Sequence, residues 1–571
     1  MKTIDPIKTK TTISNKFLEG AYAVLRPLRR VPDPLAVFAR LTDNGRRPRT
    51  VLLESAEPSS RKTQKSLLVV SSALSIECRG ADVALSALNA QGKTLLPALE
   101  AHFERFSPRS EGNVLRLRVP VRNVENTSAS DETCLPADSS LTVLRELAAL
   151  FSSVLPSTPE AVLLAGIFAY DLVDQFEPMP ETAEVNDFPD YLYYLADQIV
   201  VIDHLTSSGY MAVCAFDGRG QEETEAALAE MEKAISPSEE TLPEETLPAD
   251  PEFQRGGSMT LHEIKTDIDD AAFAAQVEVL KEHIISGELS QIVMSRTFSA
   301  PCADSFEAYR VLRTINPSPY LFYMRHDDFA LFGASPESSV KVDGATRSVE
   351  ISPIAGTRHR GLRDDGSLDV DLDSLMEAEL RLDKKENAEH MMLVDLALDD
   401  VARVSKPGTC HVADLLRVER YSHVMHLVSR VRGELRNDLD ALHAYQACMN
   451  MGTLTGAPKV RAMQLLRSYE TGRRGHYGGA IGYLRGDGSF DTAIVIRAAL
   501  VQNGVAHIRA GAGIVSDSVP ASEADETRHK AEAVLRAIVP VERSAGKHTA
   551  ISGNSVGSGD VQSARNGKGM R

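Results

Sequence analysis

Tryptophan is missing altogether from this 571-residue chain, and cysteine is scarce and poorly spaced for chemistry. Cys78, Cys134, Cys214, Cys302, Cys410 and Cys448 form no C-x-x-C pair and no zinc-ligand spacing. That excludes a thiolate metal site and fits a reduced compartment. No cysteine lies in a G-x-C-x-G turn, and the single G-x-S-x-G match, Gly553 to Gly557, falls in the Gly/Ser-rich tail, so the sequence offers no thiol elbow and no serine elbow between a strand and a helix. Long apolar runs are also lacking: no stretch of about 18 apolar residues is available to span a bilayer. The polar, lysine-dotted segment Met1 to Lys16 has no apolar core of the kind a secretory signal needs. Basic blocks are absent. With a formal net charge of −18 and no Lys/Arg block that would track a phosphate backbone, neither nucleic acid nor a membrane is an expected partner. These exclusions point to a cytoplasmic protein.

What is present is a globular composition, 43% hydrophobic and 25% charged, in a chain long enough for a sizeable core. Residues 1–32 read as a disordered extension and 544–571 as a disordered Gly/Ser-rich tail. Residues 33–250 carry many strands and few helices and are taken as an N-terminal region. Within it, Ser66 to Ser72 and Leu74 to Cys78 read as two adjacent strands. Near its end the acidic five-residue segment Glu239 to Pro243 is repeated as Glu244 to Pro248. Such a segment cannot bury a core and is read as a linker. Residues 251–543 form the second region. It opens with a helix at 267–285 and a strand at 291–298, followed by a hairpin at 320–333. A long helix is expected from Asp383 to Arg403, with Asp383 and Glu386 as a capping box. Strands are expected at 424–431, 477–483, 491–497 and 505–511.

The C-terminal stretch Gly511-Ala512-Gly513 followed by Ser522 to Lys530 draws the most chemistry. The glycines allow a ligand close to the backbone. Ser522 and Asp525 predict a capped helix starting at Glu523. On it, Glu523 and Glu526 are three apart and share a face. The helix from Asp383 repeats the arrangement with Glu386 and Glu389. Four carboxylates without thiol or imidazole spacing favour Mg²⁺ over zinc; the competing possibility is two solvated acidic faces. His426 lies on a strand, where a lone histidine is commonly a core residue. Arg497 closes an apolar strand and could clamp a carboxylate or form a surface ion pair.

Four segments together carry a family resemblance: Pro353 to Arg358, Glu386 to Leu396, Met449 to Lys459, and Gly511 to Gly513 with Glu523 to Lys530. In these the chain resembles the chorismate-utilising enzymes, over about residues 35–541, and within them the branch that makes anthranilate. The resemblance implies an α+β fold of two interlocked α/β regions, with large antiparallel sheets around a central cleft. It implies that Glu389 and Glu526 ligate Mg²⁺, helped by Glu386 and Glu523. Gly356, Thr357, Tyr477, Arg497, Gly511, Ala512, Gly513 and Lys530 would bind chorismate. Glu337 would protonate the leaving hydroxyl, His426 would assist elimination, and Gln291 and Thr453 complete the catalytic set. Relatives that add water carry a lysine base at the position of Gln291, and those that aminate C4 carry a lysine at the position of Ala355. The resemblance therefore implies attack by ammonia at C2. With no thiol elbow in this chain, it also implies a separate glutamine amidotransferase subunit.

The first region resembles a regulatory part with a tryptophan inhibitor pocket at Glu54, Ser55, Pro319, Tyr320 and Leu321. Leu321 stands where close relatives have methionine, a swap that conserves volume. Leu398-Asp399-Asp400, Ser352, Met294 and Thr297 also depart from the family pattern, and such departures fit service in a secondary-metabolite pathway. A synthase that stops at 2-amino-2-deoxyisochorismate and an inactive tryptophan-binding paralogue would share the same family motifs.

Overall fold

The computed structural model describes residues 20–538. Within that span, 56–64, 121–134, 136–137, 156, 182–186, 217, 219, 236–263, 364–366 and 422–423 are not described. The repeated acidic linker and the Gly/Ser-rich tail lie outside the described residues.

Strands dominate. The N-terminal side supplies β1 (Tyr22–Pro27), β2 (Thr50–Glu54), β3 (Lys65–Arg79), β4 (Leu163–Phe168), β5 (Tyr191–Asp203) and β6 (Ser208–Ala215). After the linker come β7 (Gln291–Pro301), β8 (Tyr320–Arg325), β9 (Phe329–Ser335), β10 (Ser338–Val342), β11 (Ser348–Ile351), β12 (Ile354–His359) and β13 (Val424–Glu434). The last four are β14 (Ala480–Arg485), β15 (Phe490–Ile494), β16 (Ala498–Gln502) and β17 (Val505–Ile514). All pair antiparallel. One run is β1-β6-β5-β3-β2-β8-β9-β16-β17-β7. The other is β5-β4-β14-β15-β10-β11-β13-β12.

The two regions are interlocked through these ladders. Leu53 of β2 faces Phe322 of β8, and Gly166 of β4 faces Gly482 of β14. Side chains follow the same plan: Phe168 stacks on Tyr445 with ring centroids 4.3 Å apart. The fold is thus the expected α+β type. Part of the segment read as an extension is ordered, since Tyr22–Pro27 pairs with β6. The two strands expected at 66–78 are one 15-residue strand. No glycine or proline interrupts Ser71-Ser72-Ala73, so β3 bends through register shifts against β5 between Val69 and Leu74 instead of turning.

Four helices place the candidate residues. These are α1 (Lys384–Val404), the single turn α2 (Gly452–Thr455), α3 (Lys459–Tyr469) and α4 (Pro520–Ile538). Asp383 caps α1 by accepting from the Lys385 and Glu386 N–H groups. The expected capping box is only half made, because the Glu386 carboxylate turns to Arg358 instead. α4 starts three residues earlier than expected. Pro520 takes the first helical position, where its fixed φ suits the helix and its missing N–H costs nothing. Ser522 then falls inside the first turn, with its N–H donating to the Val519 carbonyl at 2.9 Å. No helix among the described residues is long and apolar enough to cross a membrane.

Candidate active site

The Gly511-Ala512-Gly513 segment lies inside β17, not at a loop edge. Its glycines serve close approach, since neither has a positive φ. A Cβ on Gly511 would lie 2.8 Å from the Tyr477 hydroxyl and 2.7 Å from the Met294 carbonyl oxygen; one on Gly513 would lie 2.9 Å from Gln291 Nε2. Tyr477 and Gln291 therefore converge on this strand. Tyr477 sits buried in the turn ahead of β14, and burial pushes its hydroxyl up to about 12. It stays a neutral donor at physiological pH. Gln291 Oε1 and Thr453 Oγ1 are buried and have no hydrogen-bond partner among the described residues.

Arg497 does not end a strand as expected. β15 stops at Ile494, and Arg497 takes a left-handed φ of 53° before β16 begins. Such a backbone is uncommon for a side-chain-bearing residue and is held by its neighbours. Here the Arg497 carbonyl accepts from Ala334 N–H at 3.1 Å. Its guanidinium donates to the Lys530 carbonyl at 3.1 Å and has no carboxylate partner among the described residues. Burial lowers its pKa from the ordinary value, against the opposing pull of Tyr477 and Glu526. A guanidinium held this way keeps donors that could clamp a carboxylate. Lys530 stands beside it, donating to the Gly511 carbonyl at 2.9 Å and paired with Glu526 at 2.6 Å. Glu337 is buried between β9 and β10. Its carbonyl accepts from Ile494 N–H at 3.0 Å, which ties it to the segment leading to Arg497.

On the second run, Thr357 Oγ1 and His426 Nδ1 are 3.0 Å apart. The two residues face each other in the β12–β13 register. His426 is only partly buried, unlike the fully buried His390. His390 bonds Ser429 at 2.7 Å, and burial brings it down to about 4. His390 is the core histidine, while His426 keeps part of its surface exposed beside Thr357. Gly356 has φ +77°, and a Cβ there would lie 3.3 Å from Glu386 Oε2.

The four glutamates are electrostatically coupled across α1 and α4. Burial raises Glu389, and Glu386 and Glu526 add to the rise while Lys385 opposes it. Burial likewise raises Glu523, with Glu526 adding and Lys385 and Lys530 opposing. Glu523 Oε2 is buried without a partner among the described residues. Glu386 pairs with Arg358 at 3.2 Å. Among the described residues no group of three or more such side chains stands close enough to hold an ion as placed. The donor set still fits a hard divalent cation: all oxygen, mutually repelling, with one orphaned buried atom.

Sequence reading missed Arg358 and the ion pair of Arg474 with Glu470, which no chemical motif marks. It noted Asp400 only as part of a departure from the family pattern. Asp400 is buried and pairs with Lys459 at 2.6 Å, locking α1 to the start of α3.

Away from this site, Glu54, Tyr320 and Leu321 line a cavity of about 330 Å³ that also touches Lys341, Tyr483 and Asp491. Glu54 accepts from the Tyr309 hydroxyl at 2.5 Å and pairs with Arg313 at 3.0 Å. Ser55 Oγ is buried with no partner among the described residues. Ser55 and Pro319 lie beside Glu54 and Tyr320 in the chain but are not among the lining residues.

An arginine with no carboxylate partner among the described residues, a buried tyrosine donor and a glycine strand in close contact make a chemistry suited to a small carboxylate-bearing ligand. The chain belongs to the chorismate-binding enzymes, whose family model matches residues 108–536. It is similar over nearly its whole length to anthranilate synthase component 1 of Vibrio parahaemolyticus, with 48% identity over 510 residues, 89% of this chain and 91% of that one. The pyocyanine-specific anthranilate synthase component 1 of Pseudomonas aeruginosa is 47% identical over 522 residues, covering 91% and 94%. The solved anthranilate synthase component I of Streptococcus pneumoniae aligns with a TM-score of 0.60 at 28% identity, over 83% of this chain and 93% of that one.

Proposed function

We propose that this enzyme converts chorismate and ammonia to anthranilate, pyruvate and water, as the large subunit of an anthranilate synthase acting in the cytoplasm at the entry to tryptophan biosynthesis. The observation that carries the reading is Arg497, a half-buried guanidinium beside Tyr477 whose hydrogen-bond partner among the described residues is a carbonyl. It is matched to a carboxylate that the substrate must bring. Arg497 and Tyr477 take the enolpyruvyl carboxylate, while Gly356, Thr357, Ala512, Gly513 and Lys530 line the remainder.

Glu389 and Glu526, helped by Glu386 and Glu523, would hold Mg²⁺, which when bound would supply positive charge for the ring carboxylate. Ammonia attacks C2 with its own lone pair. Gln291 is neutral and cannot take a proton from water, so it accepts a hydrogen bond from the nucleophile through the orphaned Oε1; the Thr453 hydroxyl, likewise buried without a partner among the described residues, supplies a second acceptor. Glu337 protonates the departing C4 hydroxyl. His426, oriented by Thr357, takes the C2 proton as pyruvate leaves and the ring becomes aromatic.

Ammonia comes from a glutamine amidotransferase subunit. No described thiol is set up as a nucleophile. Burial pushes Cys78 up to about 12 and Cys302 to about 11, and raises Cys214, Cys410 and Cys448 as well. Free ammonium at alkaline pH is expected to substitute for the partner.

The test is product analysis by mass and by anthranilate fluorescence, with chorismate, ammonium and Mg²⁺. Anthranilate is expected. Accumulation of a non-aromatic amine would assign the aminodeoxyisochorismate reaction instead. Arg497→Gln is expected to lower kcat/KM by about 10²–10³-fold, the loss of a charge-assisted bidentate contact. Unchanged kcat/KM would refute the receptor role.

The cavity at Glu54, Tyr320 and Leu321 is proposed as a tryptophan inhibitor pocket, with Ser55 and Pro319 at its edge. β14 and β15 run from it towards the turns that bear Tyr477 and Arg497. Tryptophan is expected to inhibit turnover. Ser55→Phe, which puts a large ring at a buried position, is expected to relieve inhibition while leaving uninhibited kcat in place. A titration curve identical to the parent's would remove Ser55 from the pocket.

A further inference from the structure

Behind the candidate site lies a buried ion pair that no part of the proposed chemistry uses. Arg474 is 4% exposed. Its guanidinium makes a two-pronged bond to Glu470, Nε at 2.8 Å and Nη2 at 2.7 Å. The remaining donors leave this pair and reach two other elements. Nη1 donates to the Leu454 carbonyl at 2.6 Å, next to Thr453, and Nη2 to the Val293 carbonyl at 2.7 Å, two residues past Gln291. The centre of the guanidinium lies 4.5 Å from the Tyr170 ring centroid and 5.5 Å from that of Tyr477.

Glu470 extends the reach. Its Oε1 accepts from Ser295 N–H at 2.9 Å and Ser295 Oγ at 2.6 Å. Ser295 faces Gly511 in the β7–β17 register. Its Oε2 accepts from Arg509 at 2.8 Å, two residues before Gly511. The strand of Gln291, the turn of Thr453, the turn of Tyr477 and the strand of Gly511 are thus all fastened to one charge pair.

A purely structural pair would need only its two members and any nearby acceptors. Here every bond beyond the pair ends within two residues of a proposed substrate-binding or catalytic group, or on its register partner. We infer that Arg474, held by Glu470, is a positioning residue that sets the Tyr477 hydroxyl against Gly511 and the bound substrate. This rests on the reading of Tyr477 as a substrate-binding group. Lysine at 474 would keep the charge but could not span two carbonyls and a carboxylate from one planar fork.

The test is steady-state kinetics of Arg474→Lys, Tyr477→Phe and the double variant with chorismate, ammonium and Mg²⁺, with thermal unfolding as the check on folding. Arg474→Lys is expected to raise KM for chorismate by about tenfold or more, with kcat within about twofold of the parent. Since Arg474 acts through Tyr477, the double variant should be within about twofold of Tyr477→Phe alone. Additive penalties, or a loss confined to kcat, would overturn the inference while leaving the substrate reading intact. An unchanged chorismate KM in Tyr477→Phe would instead refute that reading, and the positioning role with it. Should Arg474→Lys fail to fold, Glu470→Gln is the near-isosteric substitute for the same comparison. If neither folds, the pair is structural and the inference falls.

Discussion

Replacing Glu389 with glutamine is expected to lower anthranilate formation by about 10³-fold or more, the scale of several kcal/mol of charge stabilisation lost at a divalent cation. The same variant is expected to be at least as heat-stable as the parent near neutral pH. The sign follows from the carboxylate's surroundings. Burial, with Glu386 and Glu526 nearby, raises the Glu389 carboxyl above its ordinary value, and Glu523 is raised for like reasons. A raised folded value means the fold favours the protonated form. The stability from that preference is full below the ordinary carboxylate range and is lost as pH rises through the raised value. Ionising either group in the fold carries a cost, and Glu389→Gln removes one of the two. Mg²⁺ should therefore raise the melting temperature of the parent by occupying what protons favour at lower pH. It should do so far less in the variant. An active Glu389→Gln enzyme, or equal Mg²⁺ stabilisation of both chains, would refute the metal assignment.

The sequence is most informative where chemistry and local structure coincide. Asp383 before α1 is legible because a short acceptor ahead of a helical run leaves few other arrangements for the first N–H groups. The carboxylates Glu386 and Glu389 follow from their spacing. Their coupling to Glu526 does not, because about 140 residues and a tertiary fold separate the helices. The family resemblance bridges that gap by motif. Helix starts are misread where two local signals compete. Ser522 and Asp525 resemble a cap, but Pro520 begins the helix two residues before Ser522. Arg497 reads as a strand end, and its left-handed backbone is imposed by β9 and β16 on either side. The Arg474–Glu470 pair is invisible in sequence because its partners are two backbone carbonyls and residues distant in the chain, Ser295 and Arg509, which carry no signature there.

The sharpest contrast available at the site is between two glycines on one strand. Gly511→Ala would set a Cβ 2.7 Å from the Met294 carbonyl oxygen, 2.8 Å from the Tyr477 hydroxyl and 3.1 Å from Ser295 Cβ. Two of these contacts are closer than packed atoms sit, and the first is to the backbone of the neighbouring strand. Neither the strand nor the buried tyrosine can yield without moving the other. Overpacking of this kind costs about 1–3 kcal/mol of stability. A displacement of Tyr477 approaching about 1 Å lowers kcat/KM by about 10²-fold. Gly513→Ala meets a single close atom, Gln291 Nε2 at 2.9 Å, the far end of a flexible side chain. It should fold with little loss of heat stability, and chorismate should still bind. What changes is the amide that faces the nucleophile, so the loss is expected in KM for ammonium. Urea unfolding and separate titrations of chorismate and ammonium check both variants. If Gly511→Ala and Gly513→Ala give the same pattern, the two ends of the segment do not serve different reactants, and the placement of Gln291 on the nucleophile is wrong.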